Sequence, residues 1–187
     1  MQKAYDDTLR DFDRITSKCK DIFVEKLRLY GPSWRHFRPA SLADQMLIKA
    51  RRIRTLETKG HSAVGEGIIP EYQALVNYSV MTILQIRFGL PPEDAEDPLS
   101  GPRILELYDA TVEEIRRLML AKNADYGEAW RHMLPSSLTD MILVKLLRIR
   151  QLLVENSETT RAEALSNLQD IFNYSIFALI LTEKTEI

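Results

Sequence analysis

Apolar residues recur at helical spacing along most of this chain. Leu9, Phe12, Ile15, Cys19, Ile22 and Phe23 share one helical face, which predicts a helix over residues 5–29 that stops at Tyr30-Gly31-Pro32. A short aromatic loop, SWRHFRP, leads to a second periodic segment, residues 41–58, broken at Lys59-Gly60-His61. A third spans residues 66–88, with Pro70 tolerated because it falls in the first turn. The stretch GLPPEDAEDPLSGP has four prolines, two glycines and no periodicity, so residues 89–102 read as a linker. Helices are expected again over residues 103–124, 138–155 and 158–183. The expected fold class is therefore all-α.

The second set of helices repeats the first. YGPSWRHFRPASLADQMLIKARRIRTL, starting at Tyr30, returns as YGEAWRHMLPSSLTDMILVKLLRIRQL, starting at Tyr126, at an offset of 126 − 30 = 96 with no gap. The same offset pairs Asp13 with Asp109, Lys26 with Lys122, and Gln73, Asn77, Tyr78 and Ser79 with Gln169, Asn173, Tyr174 and Ser175. A period this long is too large for a solenoid and suits two three-helix units packed as a pseudo-two-fold helical bundle. The organisation is a first repeat over 1–88, the linker, and a second repeat over 103–187. The second helix of each repeat is expected at the centre.

Composition narrows the function. A net charge of −2 gives no bulk attraction to nucleic acid or to an anionic membrane, so neither is expected as a partner. The longest apolar run, IFNYSIFALIL, is too short to cross a bilayer. One cysteine and an N-terminus without an apolar leader point to the cytoplasm.

Residues kept in both copies carry the candidate chemistry. Trp34 and Trp130 read either as plugs between helices or as base-stacking aromatics, with Arg35 and Arg131 beside them to receive phosphate. Ser41-x-x-Asp44 and Ser137-x-x-Asp140 fit capping boxes, which competes with any catalytic role for the aspartates. Lys49 and Lys145 project onto the apolar stripe of their helices, with Arg52 and Arg148 one turn on. A cation there needs a carboxylate partner or a cavity that receives an anion. The third helix should supply the partner: Gln169, Asp170, Asn173 and Tyr174 share one side, and Ala74 stands where the second copy has Asp170. Asn77 and Asn173 can equally belong to a buried polar network or to a cleft that reads a nucleotide.

The pattern K-x3-YG-x2-W, S-L-x-D-x4-K-x2-RI-x2-L and a closing Asp/Ala-x2-Asn-Tyr resembles a bacterial and phage family of unknown function, the nucleotide-modification-associated domain. That family is similar in turn to the all-α nucleotide pyrophosphohydrolases of the MazG and dimeric dUTPase types. Those enzymes hold magnesium on E-E-x-x-E and E-x-x-D carboxylates. This chain departs from that pattern, since E-x-x-D is split into Glu71 with Ala74 and Asn167 with Asp170. The resemblance implies a site in the second repeat. Asp140 and Asp170 would be catalytic, and Asp140, Glu163 and Asp170 would hold Mg²⁺. Trp130, Arg131, Lys145, Arg148, Asn173 and Tyr174 would bind substrate, with Lys49, Arg52 and Asn77 as the first-repeat counterparts. The expected partner is a nucleotide or other phosphorylated small molecule, and a homodimer is compatible with the pattern. The alternative is a non-catalytic interaction or regulatory module whose repeated polar residues are structural.

Overall fold

Pro39 and Pro135 each open a helix two residues ahead of the serines expected to cap it. The computed structural model describes residues 2–62, 65–94 and 96–185. Among them are six α-helices and no strand: α1 (Gln2–Tyr30), α2 (Pro39–Lys59), α3 (Ile69–Phe88), α4 (Pro102–Tyr126), α5 (Pro135–Glu155) and α6 (Glu158–Thr185). Short 3₁₀ turns, Ser33–His36 and Ala129–His132, follow α1 and α4. Met1, residues 63–64, Ala95 of the linker and residues 186–187 lie outside the described residues.

The capping boxes do not form. Arg38 and Leu134 are the N-caps, neither cap bonds through its side chain, and the Ser41 and Ser137 amides already bond the Arg38 and Leu134 carbonyls. Proline, with φ fixed near the helical value and no N–H to satisfy, is suited to the first helical position and moves the start upstream. At the other end, Gly60 (φ 72°) and Asn156 (φ 50°) occupy matching positions, 60 + 96 = 156, and both adopt the left-handed conformation that ends the helix.

The two repeats form one bundle. α2, α3, α5 and α6 make a closed inner ring, α2 against α3 and α5, α6 against α3 and α5, with α1 and α4 each packed across both third helices. The most enclosed elements are α3 and α6 rather than the second helices. From Leu75 to Gln85 nearly every residue of α3 is buried, and from Ile171 to Ile180 nearly every residue of α6. A helix apolar on all sides goes to the centre of a bundle, whereas α2 and α5 leave Ile48, Val144 and Leu147 in solvent.

Ion pairs across the bundle record the pseudo-two-fold axis. Arg54 pairs with Asp140, and its counterpart Arg150 pairs with Asp44 at 2.8 Å. Arg116 pairs with Asp13 and Lys20 with Asp109, both at 2.7 Å. Arg87–Glu114 at 2.8 Å is answered by Lys18–Glu183 at 3.2 Å, the same two positions with the charges exchanged. Residue i of one repeat meets j of the other, and j meets i, as in an isologous dimer interface.

The linker is docked. Leu99 is fully buried, and Asp97 forks onto Arg35 at 2.9 and 3.0 Å. Arg35, 1% exposed, also donates to Gln85 and to the Gly89 carbonyl at 2.7 Å. That buried charge is satisfied on every side by the protein.

Candidate ligand-binding site

Lys26, Tyr30 and Trp34 are spaced to line one side of the α1 terminus and its 3₁₀ turn, and so are Lys122, Tyr126 and Trp130 at the end of α4. Each set meets the face of the following third helix that carries Asn77 and Tyr78, or Asn173 and Tyr174. The result is a matching pocket in each repeat, of about 440 Å³ in the first and 450 Å³ in the second. Both lie within the range of small-ligand sites, roughly 300–1,000 Å³. Lys26/Lys122 and Tyr30/Tyr126 line the pockets, though sequence reasoning did not name them as site residues. The signal that could have found them is their retention at one-turn spacing ahead of the tryptophan.

The tryptophans are plugs. Trp130 is 5% exposed, stacked on Phe177 at 4.3 Å between centroids and 5° between planes, with the Arg131 guanidinium 4.7 Å from its ring. A ring so enclosed offers no face to a base. Its edge is another matter, because the Nε1–H of Trp130, like that of Trp34, is buried with no hydrogen-bond partner among the described residues. Arg131 is taken up by Glu128 and the Thr8 hydroxyl, and neither Arg131 nor Arg35 lines a pocket.

The asparagines differ sharply. Asn77 donates to the Cys19 carbonyl at 2.9 Å and accepts from the Tyr108 hydroxyl at 2.8 Å, so it ties α3 to α1 and α4. The counterpart of Tyr108 is Phe12 (108 − 96 = 12), which has no hydroxyl to offer. Phe12 does reach α6, with its ring 6.0 Å from that of Phe172. Asn173, 4% exposed, is accordingly left with its Oδ1 buried and without a partner among the described residues. A buried polar atom in that condition costs about 1–3 kcal/mol until something binds it.

The charges follow the split E-x-x-D. Lys49 meets Glu71 at 3.2 Å, and Arg52 pairs with Glu71 and with Glu66 at 3.2 Å. In the second repeat Lys145 bonds Asn167, the match of Glu71, at 3.0 Å, and Asp170 at 2.8 Å. Asp170 also holds Lys122 at 2.6 Å. Each repeat thus spends its one remaining motif acid on the second-helix lysine, as a core-facing cation requires. The shift of that acid by one helical turn has a consequence at the pocket. Lys122 gains a carboxylate, whereas Lys26 faces Ala74 and has no polar partner among the described residues.

Arg148 lies outside the pocket and forks onto Glu163 at 2.7 and 3.0 Å, a solvent pair that holds the Glu163 carboxyl below its usual range. Asp140 is committed to Arg54 on the far repeat. Asp140, Glu163 and Asp170 therefore do not converge, and among the described residues no group of three or more His, Cys, Asp or Glu could hold a metal ion. These residues do not fit a magnesium site. Tyr174 lines the second pocket, and burial, with Asp170 and Tyr126 nearby, pushes its phenol up to about 12, so it stays a neutral donor. Tyr126 stands at the rim, 72% exposed.

Fold and pockets together define an all-α tandem-repeat protein with a matching ligand-sized pocket in each repeat. A family model described as Nucleotide modification associated domain 1 matches residues 26–86 and again 122–181, and the chain belongs to that family. Each match begins at a pocket lysine, Lys26 or Lys122. No curated protein and no solved structure matches this chain. No helix among the described residues is long and apolar enough to cross a membrane.

Proposed function

We propose that the second-repeat pocket binds a nucleoside phosphate, and that the protein acts as a nucleotide-binding module. One observation carries the reading. Trp130 and Asn173 both line this pocket, and each has a buried polar atom, the Nε1–H donor and the Oδ1 acceptor, without a hydrogen-bond partner among the described residues. A nucleobase edge supplies the complement of both, whereas an inorganic anion supplies only acceptors. Tyr126 and Tyr174 take the stacking role first considered for tryptophan. Lys122 and Lys145 share the single carboxylate of Asp170, which leaves one positive charge in excess for phosphate.

Hydrolysis, which the pyrophosphohydrolase likeness suggests, has less support. Its carboxylates are spent on Arg54, Arg148 and the two lysines. Calorimetric titration with a panel of nucleoside monophosphates, with and without magnesium, tests the proposal. Specific binding that is indifferent to magnesium and lost in Asn173→Ala is expected. No binding across the panel, or binding unchanged in Asn173→Ala, would overturn it.

A further inference from the structure

The first-repeat pocket is built from the same elements but offers different chemistry. Asn77 is consumed by Tyr108 and the Cys19 carbonyl, so the acceptor that would read a base edge is gone. Ala74 replaces the acid, which leaves the exposed Lys26 at the pocket without a carboxylate partner among the described residues. Trp34, 6% exposed, lines the same pocket and has a buried Nε1–H without a partner among the described residues, and Ser33 stands beside it. The remaining wall includes Ile22, Phe23, Leu27, Phe37 and Met81, all apolar. A site with an ammonium, a buried N–H and apolar sides recognises a negative head on an apolar body.

We infer that the first-repeat pocket is a second, non-equivalent ligand site for a small organic anion, carboxylate or phosphate, with an apolar body and no base edge. The duplication has then produced two specificities from one scaffold. The Phe/Tyr exchange at positions 12 and 108 and the Asp/Ala exchange at 170 and 74 decide which repeat reads what.

The chain holds two tryptophans, one in each pocket, so the two indole N–H resonances of the ¹⁵N-labelled full-length protein report the sites separately. Trp34→Phe assigns them. Phenyl phosphate and benzoate should each move the Trp34 resonance in a saturable way, and neutral benzamide should not. Movement by only one of the two anions narrows the head group and still supports the site. Lys26→Met should weaken the effective anion by about tenfold, the loss of one charge-assisted hydrogen bond, roughly 1.4 kcal/mol. Ala74→Asp, which rebuilds the acid that Lys122 has, should do the same while leaving the Trp130 resonance in place. An unmoved Trp34 resonance with both anions, equal response to benzamide, or full binding in both variants would overturn the inference. Because nucleoside phosphates are read at Trp130, failure at one pocket leaves the other reading standing.

Discussion

One hydroxyl separates the two asparagines. Tyr108 satisfies Asn77 and Phe12 cannot satisfy Asn173, so one is tied into the fold and the other keeps an oxygen without a partner among the described residues. Asn77→Ala should cost about 1–3 kcal/mol in denaturant unfolding, because it strands the buried Tyr108 hydroxyl. Asn173→Ala should cost less and abolish nucleotide binding. Phe12→Tyr should install the missing hydroxyl and block binding with the fold intact; unaltered affinity in that variant would count against the asymmetry. Arg35 gives a second test. Asp97→Ala leaves a guanidinium that is 1% exposed with only neutral partners and should cost about 3 kcal/mol. The Arg35 hydrogen bonds hold the Asp97 carboxyl below its usual range. The stability this pair adds is present above the unfolded carboxylate pKa and lost as pH falls through the depressed folded value. Acid unfolding should therefore be shallower in Asp97→Ala than in the parent.

Among the elements, α2 and α5 start upstream of the serines expected to cap them, at Pro39 and Pro135, whereas α1 ends within one residue of its expected stop. Ser-x-x-Asp looks like a cap in isolation, but Pro39 and Pro135 already supply helical φ two residues earlier, and the aspartates are drawn to arginines of the other repeat. Ser137→Ala should therefore fall within about 0.5 kcal/mol of the parent, where a true cap would cost about 1. A buried polar triangle joins α2, α3 and α5: Thr139 donates to Glu57 at 2.8 Å, and the Tyr72 and Thr139 hydroxyls lie 2.6 Å apart. The pseudo-symmetric positions hold Ala43, Leu153 and Leu168, which cannot repeat it. Desolvation raises the Glu57 carboxyl above its ordinary value despite the hydroxyls that donate to it. A carboxyl raised on folding favours the fold at acid pH and loses that contribution as pH rises through the folded value. Glu57→Gln should thus raise the melting temperature at neutral pH, and the gain should shrink on acidification.

For the whole molecule, the duplication was the legible part. A gapless offset of 96, as from Tyr30 to Tyr126, implies matched helix lengths and turns, and apolar periodicity is enough to place six helices within a few residues. The need of Lys49 and Lys145 for acid partners from the third helix could also be read from the projection of α2 and α5. What could not be read were relations between repeats. Tyr108 lies on α4 and its partner Asn77 on α3 of the other repeat, and no local spacing encodes that meeting. Within the second repeat, the enclosure of Trp130 by Phe177, far along the chain, is equally absent from local spacing. The central claim is that the second pocket reads a nucleoside phosphate through buried groups without a partner among the described residues. Its most direct test is the Trp130 indole N–H resonance during titration with nucleoside monophosphates. The account predicts a saturable shift that disappears in Phe12→Tyr, and a Trp130 resonance that stays still through saturating concentrations of every nucleotide tried would contradict it.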